Sequence, residues 1–587
     1  MPAIDTRPTQ TPPMNDPRAQ LRQALKRNPG DAMGWVMLAE HELDAGDAQA
    51  GETASRRALH LRPGHPEALA RLGRAQAMQR KFEDAVTSLR AAARAAPGHP
   101  GIVVWLAHAL EDVGDAEGAL EAYTRAYTLA PREPQLAAYL LNWRRRLCDW
   151  RDLDTLSRQV REAVAQAQAS VEPFAFLSED TSAAEQRRCA GLRAAVIAQS
   201  VQPMPPAPAK DLAATVRVGF LSNGFGAHPT GLLTVALFEA MYRRGGIELH
   251  LFALNRDDDS PIRQRLRAAT DAVHDVAMQP HAQVAASIRR AGIDVLFDLR
   301  GWGGGGAPEV LAMRPAPVQV NWLAYPGTSA APWIDYVLAD RYVLPESMTA
   351  DFSETVAWLP RCFQPSDTSR ELQLPPTRAE CGLPEDGTVL CCFNNSYKLN
   401  PRSVARALEV LRGVPGSVLW LLSGPGRADQ RLREFAKQRD IDPSRLVFMR
   451  KQPHPDYLAR LRHADLFLDT NPYNAHTTAS DALWAGCPVL TCPGATFAAR
   501  VAGSLNHHLG MEHMNVADDA AFIARAVALG NDREALAALR NELAVRRGDS
   551  GLFDMDGFSV DFAAMTIAMA RRQRKGEAPA VLQGPAR

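Results

Sequence analysis

The sequence predicts an α-helical repeat solenoid followed by two Rossmann-like α/β domains. Three observations predict it. Prolines recur every 34 residues through the first quarter of the chain. From about residue 213, short apolar runs alternate with helical segments, and the series occurs twice. Between the two patterns stands a proline-rich piece, Gln202-Pro203-Met204-Pro205-Pro206-Ala207-Pro208, which reads as a domain boundary. The 587 residues exceed what one core holds and suggest roughly three or four domains.

Taken in order, 1–17 is proline-rich and predicts a disordered tail. Pro29, Pro63, Pro97 and Pro131 then mark the repeat. Between them Leu38-Ala39, Leu72-Gly73 and Leu106-Ala107 share one phase, Gly51, Ala85 and Ala119 a second, and Ala58, Ala92 and Ala126 a third. Small residues at fixed phase let two antiparallel helices approach closely, and each proline ends a pair because it cannot continue a helix. The pattern resembles the tetratricopeptide repeat and spans 18–150. Solenoids of this kind present a concave peptide-binding surface, though a spacer or dimerisation arm has the same signature. Residues 151–210 read as a helical and proline-rich linker.

In 211–376, strands are expected at 216–222, 247–253, 293–298, 318–323 and 336–339, with helices at 232–242 and from 260. In 377–559, strands at 389–394, 418–423, 446–449, 466–469 and 488–491 alternate with helices at 402–411, 430–439, 455–462, 478–485 and from 495. Such alternation implies parallel sheets covered on both faces, with ligands at the carboxyl ends of the strands. Residues 560–587 form a last helix and tail.

Composition narrows the function classes. Lys+Arg and Asp+Glu are both 66, and this zero net charge excludes a large basic face for nucleic acid. No apolar run is long enough for a bilayer, and Met1-Pro2-Ala3-Ile4-Asp5-Thr6-Arg7 lacks the apolar core of a signal peptide. None of the eight cysteines has C-x-x-C spacing, so no zinc or redox site is expected, and a cytoplasmic location is.

Four loops carry candidate chemistry. Gly224-Phe225-Gly226-Ala227-His228-Pro229-Thr230-Gly231 follows the first strand and opens a helix; His228 is either a proton-handling group in the cleft or a loop histidine bonded to backbone. Asn394-Asn395-Ser396-Tyr397-Lys398-Leu399-Asn400-Pro401 follows the first strand of the second domain. Lys398, one of only seven lysines, either neutralises a departing phosphate or is solvated. Asp469 to Trp484 contains His476-Thr477-Thr478 at a helix start, suited to a diphosphate or to plain threonine capping, with Asp481 one turn on. In Lys451 to Arg460, Tyr457 and Arg460 share a helix face and suit a base and a phosphate.

Together these segments resemble the O-linked N-acetylglucosamine transferase family, nucleocytoplasmic glycosyltransferases that modify Ser and Thr of proteins. The matching strings are Gly226-Ala227-His228-Pro229-Thr230, Arg314-Pro315-Ala316-Pro317-Val318-Gln319, Tyr325-Pro326-Gly327-Thr328, Tyr397-Lys398, Ser417-Val418-Leu419-Trp420-Leu421-Leu422, His476-Thr477-Thr478, Leu483-Trp484-Ala485-Gly486, and Pro493-Gly494 followed by Ala499-Arg500-Val501. The likeness runs from the repeats to about Met565, as in a bacterial member with a short array.

The resemblance implies a GT-B fold, with the helix at 560–571 returning to the first catalytic domain. It implies an inverting transfer of N-acetylglucosamine from UDP-N-acetylglucosamine to Ser/Thr hydroxyls, without a metal or other cofactor. Lys398 would stabilise the leaving UDP. His476, Thr477 and Thr478 would bind diphosphate and sugar, and Asp481 the ribose. Asn395 would lie near the phosphates, Tyr457 on uracil and Arg460 on the uridine or phosphate side. His228 matches a proposed general base, whose role the donor phosphate competes for. Acceptor-loop candidates are Pro229, Thr230, Asp298, Trp302 and Tyr325.

One departure is Asp298-Leu299-Arg300-Gly301-Trp302-Gly303-Gly304-Gly305-Gly306, where Trp302 replaces a polar residue and the glycines are expected to loosen the loop. Expected partners are a protein or peptide acceptor in the repeat groove, a UDP-sugar and a second copy in a homodimer, with no nucleic acid and no membrane. The alternatives are a SPINDLY-like protein O-fucosyltransferase using GDP-fucose, a catalytically weak repeat adaptor and, less favoured because it has no use for a repeat array, a GT-B epimerase.

Overall fold

The structure, a computed structural model, describes residues 16–584. Most of the expected tail lies outside the described residues, but Pro17 already begins a helix, Pro17–Arg27, capped by Asp16. The chain divides into two compact units between Arg144 and Arg145.

In the first unit, helices Ala32–Asp44, Ala48–Leu61, Pro66–Met78, Phe82–Ala95, Pro100–Asp112 and Ala116–Leu129 form three antiparallel pairs, and helix Pro134–Arg146 follows and runs across the boundary. Asp31, Asp47, His65, His99 and Asp115 cap helix starts with their side chains. The small-residue phases fall at the helix contacts: a Cβ on Gly73 would stand 2.5 Å from Leu89 Cγ, and one on Gly51 2.6 Å from Leu43 Cδ2. Ala39, Ala58, Ala85, Ala92, Ala107, Ala119 and Ala126 are wholly buried.

The second unit holds two parallel sheets. The strands of the first lobe are β1 (Val216–Ser222), β2 (Ile247–Ala253), β3 (Ala272–Asp275), β4 (Val295–Asp298), β5 (Val318–Asn321), β6 (Tyr336–Ala339) and β7 (Thr355–Trp358). Those of the second lobe are β8 (Val389–Cys392), β9 (Val418–Leu422), β10 (Leu446–Met449), β11 (Leu466–Leu468) and β12 (Val489–Leu490). A short β13 (Leu582–Gln583) returns to pair with β7. The sheet orders are β13-β7-β6-β5-β4-β1-β2-β3 and β10-β9-β8-β11-β12, and every ladder among the described residues is parallel. In each sheet the order reverses beside the first strand, between β1 and β4 and between β8 and β11, where α/β sheets bind ligands. Burial of both faces explains the near-continuous apolar runs of β1, β2, β8 and β9.

Two features differ from the sequence expectation. The stretch read as a linker is built into the catalytic unit: Ala190, Ala194 and Ile197 of helix Ala183–Ser200 share a core with Leu221, Val284, Ile288 and Trp302. Even the proline-rich piece is tied down, Met204 N–H donating to Met313 O at 2.7 Å. The strands β3, β7 and β13 were not expected; the edge strand β3, Ala-Val-His-Asp, is half-exposed and lacks an apolar run, and β13 is only two residues long.

The C-terminal helix, Met555–Arg574, crosses back to the first lobe as expected, five residues longer at its start. Phe562 packs on Phe297 and Trp322 with ring centroids at 4.9 and 4.8 Å, and Asp561 takes Arg361 Nε at 2.7 Å. No described helix is long and apolar enough to cross a membrane.

Candidate active site

The loops after β1, β4, β8 and β11 hold most of the predicted residues. After β1 the chain makes a tight turn that only glycine fits. Gly226 has φ 154°, where a Cβ would lie 2.2 Å from Asp258 Oδ2, and one on Gly231 would lie 2.4 Å from Gly226 O. His228 then caps helix Pro229–Arg244, its Nδ1 accepting from Thr230 N–H at 3.2 Å. That bond uses the Nδ1 lone pair, so the neutral ring carries its proton on Nε2. Burial, then the charges of Arg300 and Lys451, push the imidazole down to about 4, which keeps it neutral at physiological pH.

Of the acceptor-loop candidates, only Pro229 is exposed. Thr230 is buried in the first helical turn. Asp298 is buried and accepts from the Arg300 and Gly301 N–H groups, both at 2.9 Å, so it closes the turn after β4. Trp302 lies in the core and donates Nε1–H to Ser329 O at 3.0 Å. Tyr325 is enclosed in the same core, and burial pushes its phenol well above the usual range. The apolar rings of Trp302 and Tyr325 find a pocket between the sheet and helix Ala183–Ser200, which the linker reading had left out. The glycine run is not loose either: Gly303 N–H donates to Arg300 O, Gly306 N–H to Gly303 O, and Asn223 Nδ2 and Arg300 both reach Gly304 O.

The second lobe gathers its polar groups around Asp469. This buried carboxylate accepts from Thr470 N–H, Ala475 N–H and Thr491 Oγ at 2.7, 2.6 and 2.7 Å, and from Asn394 Nδ2 at 3.3 Å. Burial raises its pKa and these donors oppose the rise. Asn394 is the hinge of the site: Nδ2 also donates to Thr470 Oγ at 2.8 Å, and Oδ1 accepts from Thr478 Oγ at 2.9 Å. Thr477 and Thr478 open helix Thr477–Ala485, and His476 precedes them with its ring held on Ala498 O at 3.1 Å.

Lys398 is buried at the end of a 3-10 turn, Ser396–Lys398. Its ammonium donates to Asn474 O at 2.7 Å and stands 3.9 Å over the Tyr473 ring. Burial pushes it down to about 7, with the Asp469 charge opposing. Asn395, at the start of that turn, is exposed. Tyr457 packs on Phe393 at 5.8 Å, and its hydroxyl is buried without a hydrogen-bond partner among the described residues. Arg460 bonds Asp456 O at 3.3 Å, and its charge bears on Glu380 and Cys381.

Asp481 is buried and already engaged. Arg370 NH1 donates to Oδ1 at 2.6 Å, and His454 Nε2 lies 3.2 Å from the same oxygen. Arg370 and His454 were missed by sequence reasoning. His454 opens the helix His454–Leu461 that carries Tyr457, so its spacing offered a signal; Arg370, between the lobes, offered none.

A helical repeat array preceding two doubly wound lobes that face each other across strand carboxyl ends is the architecture of a GT-B glycosyltransferase. The model of glycosyl transferase family 41 matches residues 147–375 and 366–562, and a tetratricopeptide repeat model matches 18–66, 36–100 and 70–134. The chain belongs to glycosyl transferase family 41. It is 35% identical over 346 residues to the probable UDP-N-acetylglucosamine–peptide N-acetylglucosaminyltransferase SEC of Arabidopsis thaliana, covering 58% of this chain and 35% of that protein. It is 27% identical over 474 residues to the UDP-N-acetylglucosamine–peptide N-acetylglucosaminyltransferase of Caenorhabditis elegans, covering 62% and 41%. The chain thus spans well under half the length of these relatives. A solved mutant of the Thermobaculum terrenum O-GlcNAc transferase superposes with a TM-score of 0.68 at 25% identity, over 96% of this chain and all of that one.

Proposed function

We propose that this chain is an inverting glycosyltransferase that moves N-acetylglucosamine from UDP-N-acetylglucosamine to Ser or Thr hydroxyls of proteins, in the cytoplasm and without a metal or other cofactor. The observation that carries the reading is the buried Lys398 ammonium beside the loop that leads into the helix start at Thr477 and Thr478. A cation and a helix N-terminus at a strand carboxyl end suit a diphosphate, and they act most strongly on charge that develops as it leaves. The acceptor oxygen attacks the anomeric carbon, the bond to the β-phosphate oxygen breaks, and the charge passes to UDP beside Lys398.

The proton takes a route that the tautomer favours. His228 spends its Nδ1 lone pair on the helix cap and offers an Nε2–H, so it donates to the reacting groups, and the acceptor's proton goes to a donor phosphate oxygen. Tyr457 is the residue assigned to the uracil; its hydroxyl is buried and has no hydrogen-bond partner among the described residues. His476, Thr477, Thr478 and Asn395 complete the donor side, with Asn395 open to solvent; Arg460 lies in the last turn of helix His454–Leu461, where its charge bears on Glu380 and Cys381 and not on this cluster. The tetratricopeptide groove delivers the polypeptide. Trp302 is a core residue, so its departure from the family pattern does not support a catalytically weak adaptor. Titration calorimetry with UDP, UDP-N-acetylglucosamine and GDP-fucose tests the donor: binding of the two uridine compounds alone supports it, and preference for GDP-fucose overturns it.

A further inference from the structure

Between the lobes, residues 366–370 hold a buried ion network that the transfer chemistry leaves unused. Arg370 donates Nε–H to Asp367 O, NH2 to Ser366 Oγ and NH1 to Asp481 Oδ1, each at 2.6 Å. Its guanidinium lies 5.2 Å from the Trp484 ring, whose Nε1–H returns to Arg370 O at 3.1 Å. Ser366 Oγ and Ser480 Oγ share a hydrogen bond of 3.0 Å, so this segment grips helix Thr477–Ala485 at three neighbouring side chains, Ser480, Asp481 and Trp484. On its other side Asp367 accepts from Arg265 at 2.8 and 3.2 Å, and Arg265 holds Glu239 of helix Pro229–Arg244 at 2.8 Å through two bonds.

The pairing at Asp481 is one-sided. Arg370 and His454 both use Oδ1, and among the described residues none donates to Oδ2. Both side chains of the Arg370–Asp481 pair are almost completely buried, at 4% and 5% exposure. A buried carboxylate with one oxygen clamped and the other open is a preorganised acceptor for a hydroxyl or a vicinal diol.

We propose that Arg370 is a positioning residue for donor recognition: it clamps Asp481 by Oδ1 so that Oδ2 is fixed for a ribose hydroxyl. This rests on the nucleotide-sugar reading above. Arg370 touches no ligand itself. Its effect passes through Asp481, and a purely structural ion pair lacks that dependence on the ribose.

The test compares UDP with 2′,3′-dideoxy-UDP by titration calorimetry on the full chain, in the wild type, Arg370→Lys, Asp481→Asn and the double variant. Charge-assisted hydrogen bonds to the ribose give the wild type a preference for UDP of about tenfold or more. Arg370→Lys keeps the charge but loses the three-way fork; it is expected to reduce that preference to about twofold or less, leave dideoxy-UDP affinity unchanged, and add nothing in the Asp481→Asn background. Should Arg370→Lys not fold, Ser366→Ala, which removes one partner of the fork, is expected to lower the preference in the same direction. Equal loss for both ligands, or an unchanged preference in a folded variant, overturns the inference. A wild type that binds neither ligand overturns the nucleotide reading, and the inference with it.

Discussion

The Lys398 ammonium donates to the Asn474 carbonyl oxygen at 2.7 Å, a contact between the loops after β8 and β11. It places a cation inside the second lobe with no carboxylate among the described residues hydrogen-bonded to it, and burial brings it down to about 7. A folded-state value below that of the free side chain means that the buried site favours the neutral amine. Stability linked to this group therefore rises with pH between about 7 and the unfolded lysine value. Binding an anionic diphosphate reverses the preference.

Proton uptake follows from that reversal. At pH 8, UDP binding is expected to take up a fraction of one proton, seen as a dependence of calorimetric heat on buffer ionisation enthalpy. Lys398→Met should abolish both the uptake and the transfer while the chain stays folded. Full transfer by that variant at an unchanged Tm contradicts the leaving-group role.

The pH profile separates Lys398 from His228. Because His228 stays neutral down to about 4, no acid limb is expected near pH 6.5 in kcat/KM for the donor. A decline above about 7 is expected as free-enzyme Lys398 loses its proton. An acid limb centred on an ordinary histidine value, lost in His228→Ala, contradicts the donor role of Nε2–H and restores the general base.

Trp302→Phe discriminates a core residue from an acceptor contact. It removes the bond to Ser329 O and leaves that buried carbonyl without this donor, at a cost of about 1–3 kcal/mol. The Tm should fall while the KM for a peptide acceptor is unchanged. A raised acceptor KM with an unaltered Tm contradicts the core assignment.

Thr478→Val tests Asn394 as the hinge of the donor site. Losing the Thr478 Oγ bond releases Asn394 Oδ1, and a destabilisation of about 1 kcal/mol is expected, together with weaker UDP binding. Weaker binding without any thermal change would instead place Thr478 in contact with the ligand alone.

The sequence made the architecture legible because its two periods are unusually clean. The phases at Ala58, Ala92 and Ala126 follow a strict 34-residue spacing, and β1, β2, β6 and β10 coincide with the apolar runs that predict them. Lys398, His476 and Thr478 stood out in the sequence because the turns after strands, and the helix starts that follow them, lie at the carboxyl end of the sheet, where α/β folds bind ligands. Arg370 was not: its partner Asp481 is more than a hundred residues away, and local pattern carries no trace of such a pair. Trp302 was misread for a related reason. It shares a core with Ala190 and Ile197, on a helix assigned to a linker.

The central claim is tested most directly by incubating the purified chain with host lysate and either UDP-N-acetylglucosamine or GDP-fucose, then sequencing modified peptides by mass spectrometry. The account predicts N-acetylhexosamine on Ser and Thr with the uridine donor, absent with Lys398→Met. Deoxyhexose from GDP-fucose, or no modification by a chain that binds UDP, would contradict it.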